Sequence, residues 1–173
     1  MDRDNIQIDL DENIELFMNK QINSESINIQ DKVKDIVYFA LNEQKINIDK
    51  VFVTISSVSK EEIKQINKKY RNVDKVTDVL SFPIFEKQEL EEISKQMNKS
   101  KQIKEIELGD VFLCIDVIQQ QSKEYETGIL REMLYMITHG ICHLIGYDHI
   151  EEEEKIVMRK LEEKILNEIG VCK

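Results

Sequence analysis

All three histidines of the chain, His139, His143 and His149, fall within one stretch, THGICHLIGYDH, from Thr138 to His149. His139 and His143 are four residues apart, so on a helix their rings stand one turn apart on one face and can converge on a single ion. Gly146, three residues after His143, is placed to end that helix in a left-handed turn and to bring His149 to the same point from another direction. Three imidazole nitrogens at about 2.0–2.1 Å with a fourth tetrahedral position open form the ligand set of a catalytic zinc centre rather than a closed structural one. The same set accepts nickel or iron. Cys142, on the adjacent helical surface, is expected to pack rather than to ligate.

The spacing H-x-x-x-H-x-x-G-x-x-H resembles that of the metzincin metalloproteases. In H-E-x-x-H enzymes the residue after the first histidine is a glutamate that serves as general base. Here that residue is Gly140, which argues against peptide hydrolysis by that route. Activation of a nucleophile at neutral pH would then fall to the metal ion itself.

These residues need a scaffold, and the chain has the length for one. Its 173 residues, 41% apolar and 34% charged, suit one globular domain that folds without staples. No apolar run approaches the length of a membrane span, and the N-terminus lacks a secretory pattern, so a soluble, cytoplasmic protein is expected. Three widely spaced cysteines, Cys114, Cys142 and Cys172, offer neither a disulfide framework nor a thiolate zinc knuckle. A net charge of −10 counts against nucleic-acid binding over the whole surface, but a local basic patch or a bound cation reverses the field within one cleft.

Alternation predicts strands around Ile6–Leu10 and Val51–Ile55, and β-rich composition predicts two more at 78–84 and 110–116, with Pro83 at an edge or strand end. Helices are predicted around Val33–Leu41, after a capping box at Ser59, from Asp116 to about Tyr125, and from an N-cap at Thr127 through the first two histidines. The last begins at the acidic run Glu151–Glu154 and turns Val157, Leu161, Ile165 and Ile169 inward. The charged stretch from Glu86 to Glu107 reads as a solvated loop with some helix. Interleaved strands and helices indicate an α+β layered fold, with residues 1–173 forming one domain that carries a charged loop at about 86–107.

At this point a family resemblance becomes close. His139 to His149 resembles the H-G-x-x-H-L-x-G-Y-D-H signature of the YbeY family of bacterial endoribonucleases and ribosomal RNA maturation factors. Asn67 to Pro83, NKKYRNVDKVTDVLSFP, is similar to that family's N-x-x-Y-R-x-x-D-x-x-T-D-V-L-S-F-P block, and Leu108-Gly109-Asp110-Val111 to its L-G-D-I/V strand. Met158 to Leu166 fits its closing helix, and the likeness runs from about residue 50 to the end. Val76 and Val73 depart from the pattern, standing where a proline and a lysine are expected.

The resemblance implies a mixed sheet of about four strands with a layer of about five helices, zincin-like, and one zinc on His139, His143 and His149. It implies single-stranded RNA as substrate, above all ribosomal RNA near the 3′ end of the small-subunit species, and a role in ribosome quality control. The small ribosomal subunit or its proteins are then the partners, with no membrane.

Arg71 and His143 are the catalytic candidates. Arg71 sits among Lys68, Lys69 and Lys75, and a planar guanidinium can hold two phosphate oxygens as charge builds in the transition state. Lys68 and Lys75 are candidate RNA contacts or a solvated face. Asp148 is open to two roles, orienting a ligand imidazole or forming a turn, and Asp78 with Thr77 either shapes the cleft or bonds backbone at a strand start. Attack by water and attack by the ribose 2′-hydroxyl both stay open. The alternative to an enzyme is a non-catalytic ribosome assembly factor whose metal stabilises the fold.

Overall fold

In the computed structural model, which describes residues 2–21, 27–100, 105–149 and 151–171, four strands form one mixed sheet in the order β1-β2-β4-β3. Strands β1 (Ile6–Leu10), β2 (Lys50–Ser57) and β4 (Glu105–Leu113) run parallel, and β3 (Val79–Pro83) closes the edge antiparallel to β4. Alternation places Ile6 and Ile8 of β1, and Val51, Val53 and Ile55 of β2, in the core. In β4 the buried positions are Ile106 and Leu108, then Val111 and Leu113. That change of phase is produced by a bulge: Phe52 pairs with Glu107 but Val53 with Gly109, so Leu108 is the extra residue. Gly109, at φ 132°, lies so close to β3 that a Cβ would meet the Phe82 carbonyl oxygen.

Seven α-helices are present among the described residues: α1 (Glu12–Gln21), α2 (Ile29–Glu43), α3 (Lys60–Arg71), α4 (Lys87–Ser100), α5 (Ile115–Glu124), α6 (Ile129–Leu144) and α7 (Glu152–Glu168). Helix α6 is the central one. It packs on β3 and β4 and against α2, α5 and α7, which explains its apolar character around most of its circumference. Helix α3 lies on the opposite face of β3: Ile63 and Ile66 pack with Leu80, Phe82, Phe112 and Cys114. Its capping box at Ser59 and Glu62 fixes one end, and Asn72 in the left-handed region (φ 58°) ends the other beside β3.

Several expectations are corrected. Helix α1 was not anticipated; Ile14 and Met18, four apart, bury its single narrow stripe. The stretch 86–107 is mostly α4 and the start of β4 rather than a solvated loop, because Leu90, Ser94 and Met97 turn one face inward. Strand β4 ends at Leu113, short of 116, and begins at Glu105. Thr127 is not the N-cap of α6: Gly128 takes that position, and the Thr127 hydroxyl donates to Glu132 at 2.7 Å. On α7 Val157 faces solvent, and Met158 with Leu161, Ile165, Leu166 and Ile169 forms the buried stripe. Cys114 and Cys142 are buried thiols, and Cys172 lies outside the described residues. No helix among the described residues is long and apolar enough to cross a membrane.

Candidate metal centre and its cleft

The last turn of α6 explains the local sequence. The Gly146 N–H donates to His143 O at 3.0 Å and the Tyr147 N–H to Cys142 O at 3.0 Å, the two bonds of a Schellman motif, with Gly146 at φ 86°. A Cβ on Gly146 would stand 2.8 Å from the backbone of Lys87, so glycine is required by space as well as by conformation. The turn reverses the chain and brings His149 to the other two imidazoles, with ring centroids 5.2 Å from His139 and 4.9 Å from His143.

The ring nitrogens are already sorted. His143 Nδ1 donates to the Tyr147 carbonyl at 2.9 Å, and His139 Nδ1 lies 2.8 Å from a carboxylate oxygen of Glu162 on α7. Both Nε2 atoms therefore turn the other way, toward each other, at 3.2 Å. Tetrahedral ligands at about 2.0–2.1 Å from a metal stand ~3.3–3.4 Å apart, so this pair has the separation such an ion needs. One ligand nitrogen from each histidine lies within 4.8 Å of the others, and the three residues can hold a metal ion. Burial, then the proximity of His139 and His149, pushes the His143 pKa down to about 4, so its ring is neutral and its lone pair available.

Glycine at 140 has a structural cause too. It faces β4, where a Cβ would meet Val111, and Ser81 of β3 stands just beyond. The position that carries the base in H-E-x-x-H enzymes is here pressed against the sheet and has no room for a glutamate.

A cleft of about 660 Å³ opens beside the histidines, with Arg71, Ser81, Lys87, His143, Tyr147 and His149 on its walls. Arg71, the last residue of α3, reaches around the edge strand and donates from Nη2 to the Ser81 carbonyl at 3.3 Å. Buried Asn67 ties down the loop that follows by donating from Nδ2 to Lys75 O at 2.9 Å. Lys87 stands over the Tyr147 ring at 4.9 Å and adds a second positive charge to the cleft. A smaller hollow of about 200 Å³ lies on the other side of the histidines, between α6 and α7, where Tyr135, Glu162 and Arg159 line it.

The structure thus brings Arg71, His143 and His149 to one cleft, with His139 behind them. Lys68 and Lys75 are not on its walls: Lys68 pairs with Asp74 at 3.0 Å, and Lys75 is exposed on the adjoining loop. Asp148 takes the turn role, accepting from the His149 backbone N–H at 2.7 Å. Asp78 bonds the Val79 N–H, the Thr77 hydroxyl and Gln121 at the start of β3, away from the cleft. Cys142 is fully buried in the core and its thiol pKa is pushed up by burial, which fits packing. Lys87, Asn67, Tyr135 and Glu162 were not singled out from sequence. Glu162 alone carried a signal there, as a charge on the apolar stripe of α7.

Comparison with known proteins decides the family. A family model described as "Endoribonuclease YbeY" matches residues 15–170. The chain belongs to the YbeY family. Among its relatives, the Endoribonuclease YbeY of Clostridium botulinum strain Kyoto is 38% identical over 165 residues, covering 90% of this chain and 98% of the relative. That of Clostridium beijerinckii is 35% identical over 150 residues, 83% of this chain and 89% of the other. The solution structure of TM1509 from Thermotoga maritima is similar in fold, with a TM-score of 0.50 and 25% identity over 94% of this chain and 90% of that one.

Proposed function

We propose that this chain is a zinc-dependent endoribonuclease that cuts single-stranded RNA during ribosomal RNA maturation, at the 3′ end of the small-subunit species, and in ribosome quality control. The reading assigns it to the cytoplasm, with the small ribosomal subunit as partner. The observation that carries it is the pairing, across one cleft, of three converging imidazole nitrogens with the Arg71 guanidinium. The family's printed name supplies the reaction class, and the donor set fits a borderline-soft divalent ion.

His139, His143 and His149 would hold the metal, which supplies Lewis acidity at the scissile phosphate and a nucleophile at neutral pH. The rest of the chemistry belongs to the side chains. The bond to the Ser81 carbonyl orients the Arg71 guanidinium, and its other N–H groups remain to donate to phosphate oxygens as negative charge builds on them. Lys87 lines the same cleft and, with Arg71, offsets the carboxylates of Glu86 and Asp148 on its walls in an otherwise acidic protein. Lys68 and Lys75, outside the cleft, act on the flanking RNA backbone in this reading. The wall built by Gly140 against Val111 puts no carboxylate at the position after the first histidine, so the site does not share the peptide-hydrolysing design that its spacing resembles.

The test is cleavage of a small-subunit RNA fragment with single-stranded tails by the wild type, Arg71→Ala and Arg71→Lys. The expected result is a loss of about 100-fold or more in Arg71→Ala, with unchanged metal content and incomplete recovery in Arg71→Lys. Equal cleavage by all three proteins would assign the activity to a contaminant and favour the assembly-factor role.

A further inference from the structure

The two histidines of α6 are oriented by acceptors of different kinds. His143 Nδ1 is held by a neutral backbone carbonyl in its own turn, whereas His139 Nδ1 is held at 2.8 Å by a carboxylate from another helix. That carboxylate, Glu162, is 2% exposed and lies on the stripe of α7 that otherwise carries Met158, Leu161, Ile165 and Leu166. Taking a carboxylate out of water costs several kcal/mol, so its retention there calls for partners that need it. Its partner is His139, whose Nδ1 faces one oxygen, and Tyr135, one helical turn before His139 on α6, lines the same hollow.

We propose that Glu162 is a positioning residue for the metal centre, an inference that rests on the three-histidine reading of that centre. A carboxylate accepting from Nδ1–H fixes one tautomer of His139, with the proton on Nδ1 and the lone pair on Nε2. It also fixes the rotation of the ring, so that Nε2 points at the space shared with His143 and His149. The closing helix α7 thereby becomes part of the metal site although it contributes no ligand, and the hollow lined by Tyr135, His139 and Glu162 is the back of that site.

A structural role and a positioning role predict opposite results for Glu162→Gln. The amide keeps the size of the side chain and removes a buried charge. If Glu162 only fills space and pairs charge, the variant changes melting temperature while metal affinity stays put. If it positions His139, the metal-free protein melts within a few degrees of wild type while affinity falls.

The measurement is the Zn2+ dissociation constant of the full chain by chelator competition, with the visible absorption of the Co2+ form as a report on ligand geometry. Glu162→Gln is expected to bind Zn2+ about 10-fold more weakly and Glu162→Ala up to about 100-fold, with altered Co2+ bands in both. An affinity within twofold of wild type for Glu162→Gln overturns the positioning role and leaves the three-histidine centre standing. Absence of Zn2+ binding by the wild type overturns both. Neither readout depends on RNA cleavage, so the proposal does not stand or fall with the nuclease assay.

Discussion

Gly140 on α6 and Val111 on β4 are in such close contact that a Cβ on the glycine would stand 2.7 Å from Val111 Cγ1 and 3.1 Å from Cγ2. Helix and sheet are packed to this distance one residue after the first metal-ligand candidate, so the glycine sets the depth at which His139 sits.

Gly140→Ala is therefore expected to destabilise the protein by up to about 2 kcal/mol. The overpacking cost of about 1–3 kcal/mol outweighs a gain in helix propensity of about 1 kcal/mol. Thermal unfolding of the metal-free protein measures it. Val111→Ala in the same chain removes the contact, so the double variant should lose less than the sum of the single losses.

Gly146→Ala combines a left-handed backbone with a collision against Lys87. The expected outcome is a loss of stability of more than about 1 kcal/mol together with weaker metal binding. The same turn carries both the Tyr147 carbonyl that orients His143 and the chain leading to His149. Calorimetric melting and metal titration of the variant check the two parts separately.

Stability of the metal-free protein should depend on pH through His143. Its folded pKa, about 4, lies below the ordinary value of 6.5, so between these values the unfolded chain binds a proton that the folded chain does not. Stability is thus flat above about pH 6.5, falls as pH drops from there to about 4, and flattens again below. The expected contribution is on the order of 2 kcal/mol once solvent screening is allowed for. Denaturant melts of chelator-treated protein at pH 7.5, 5.5 and 4.5 measure it, and His143→Gln should lessen the slope.

Asn67→Ala separates the arginine loop from the metal. Its amide ties the backbone at Lys75, on the loop that follows Arg71 and Asn72. RNA cleavage should fall by about 10-fold or more as the guanidinium loses its fixed position. Zn2+ affinity should stay as in wild type, since no atom of Asn67 touches the histidine turn.

Local patterns made much of this legible in the sequence. Alternation marked β1 and β2, Ser59 and Glu62 marked the start of α3, and the spacing of the three histidines with Gly146 marked their convergence, because each signal is carried by residues within one or two turns. Helix α4 was hidden because its buried positions among the described side chains are Leu90, Ser94 and Met97, one of them polar, among charged neighbours. On α7 the spacing of Val157, Leu161 and Ile165 suggested a face rotated from the true one, which Met158 and Leu166 share. The partnership of Glu162 with His139 spans 23 residues and two helices, so no local spacing encodes it.

On the proposed function, His139, His143 and His149 together hold one metal ion on which cleavage depends. The most direct test is metal content by elemental analysis, alongside RNA cleavage before and after chelation, for the wild type and for each histidine-to-alanine variant. The expected result is about one equivalent of zinc in the wild type, activity lost on chelation and restored by Zn2+, and loss of both metal and activity in all three variants. Full activity in chelated wild-type protein, or a full equivalent of zinc retained when His143 is alanine, would contradict it.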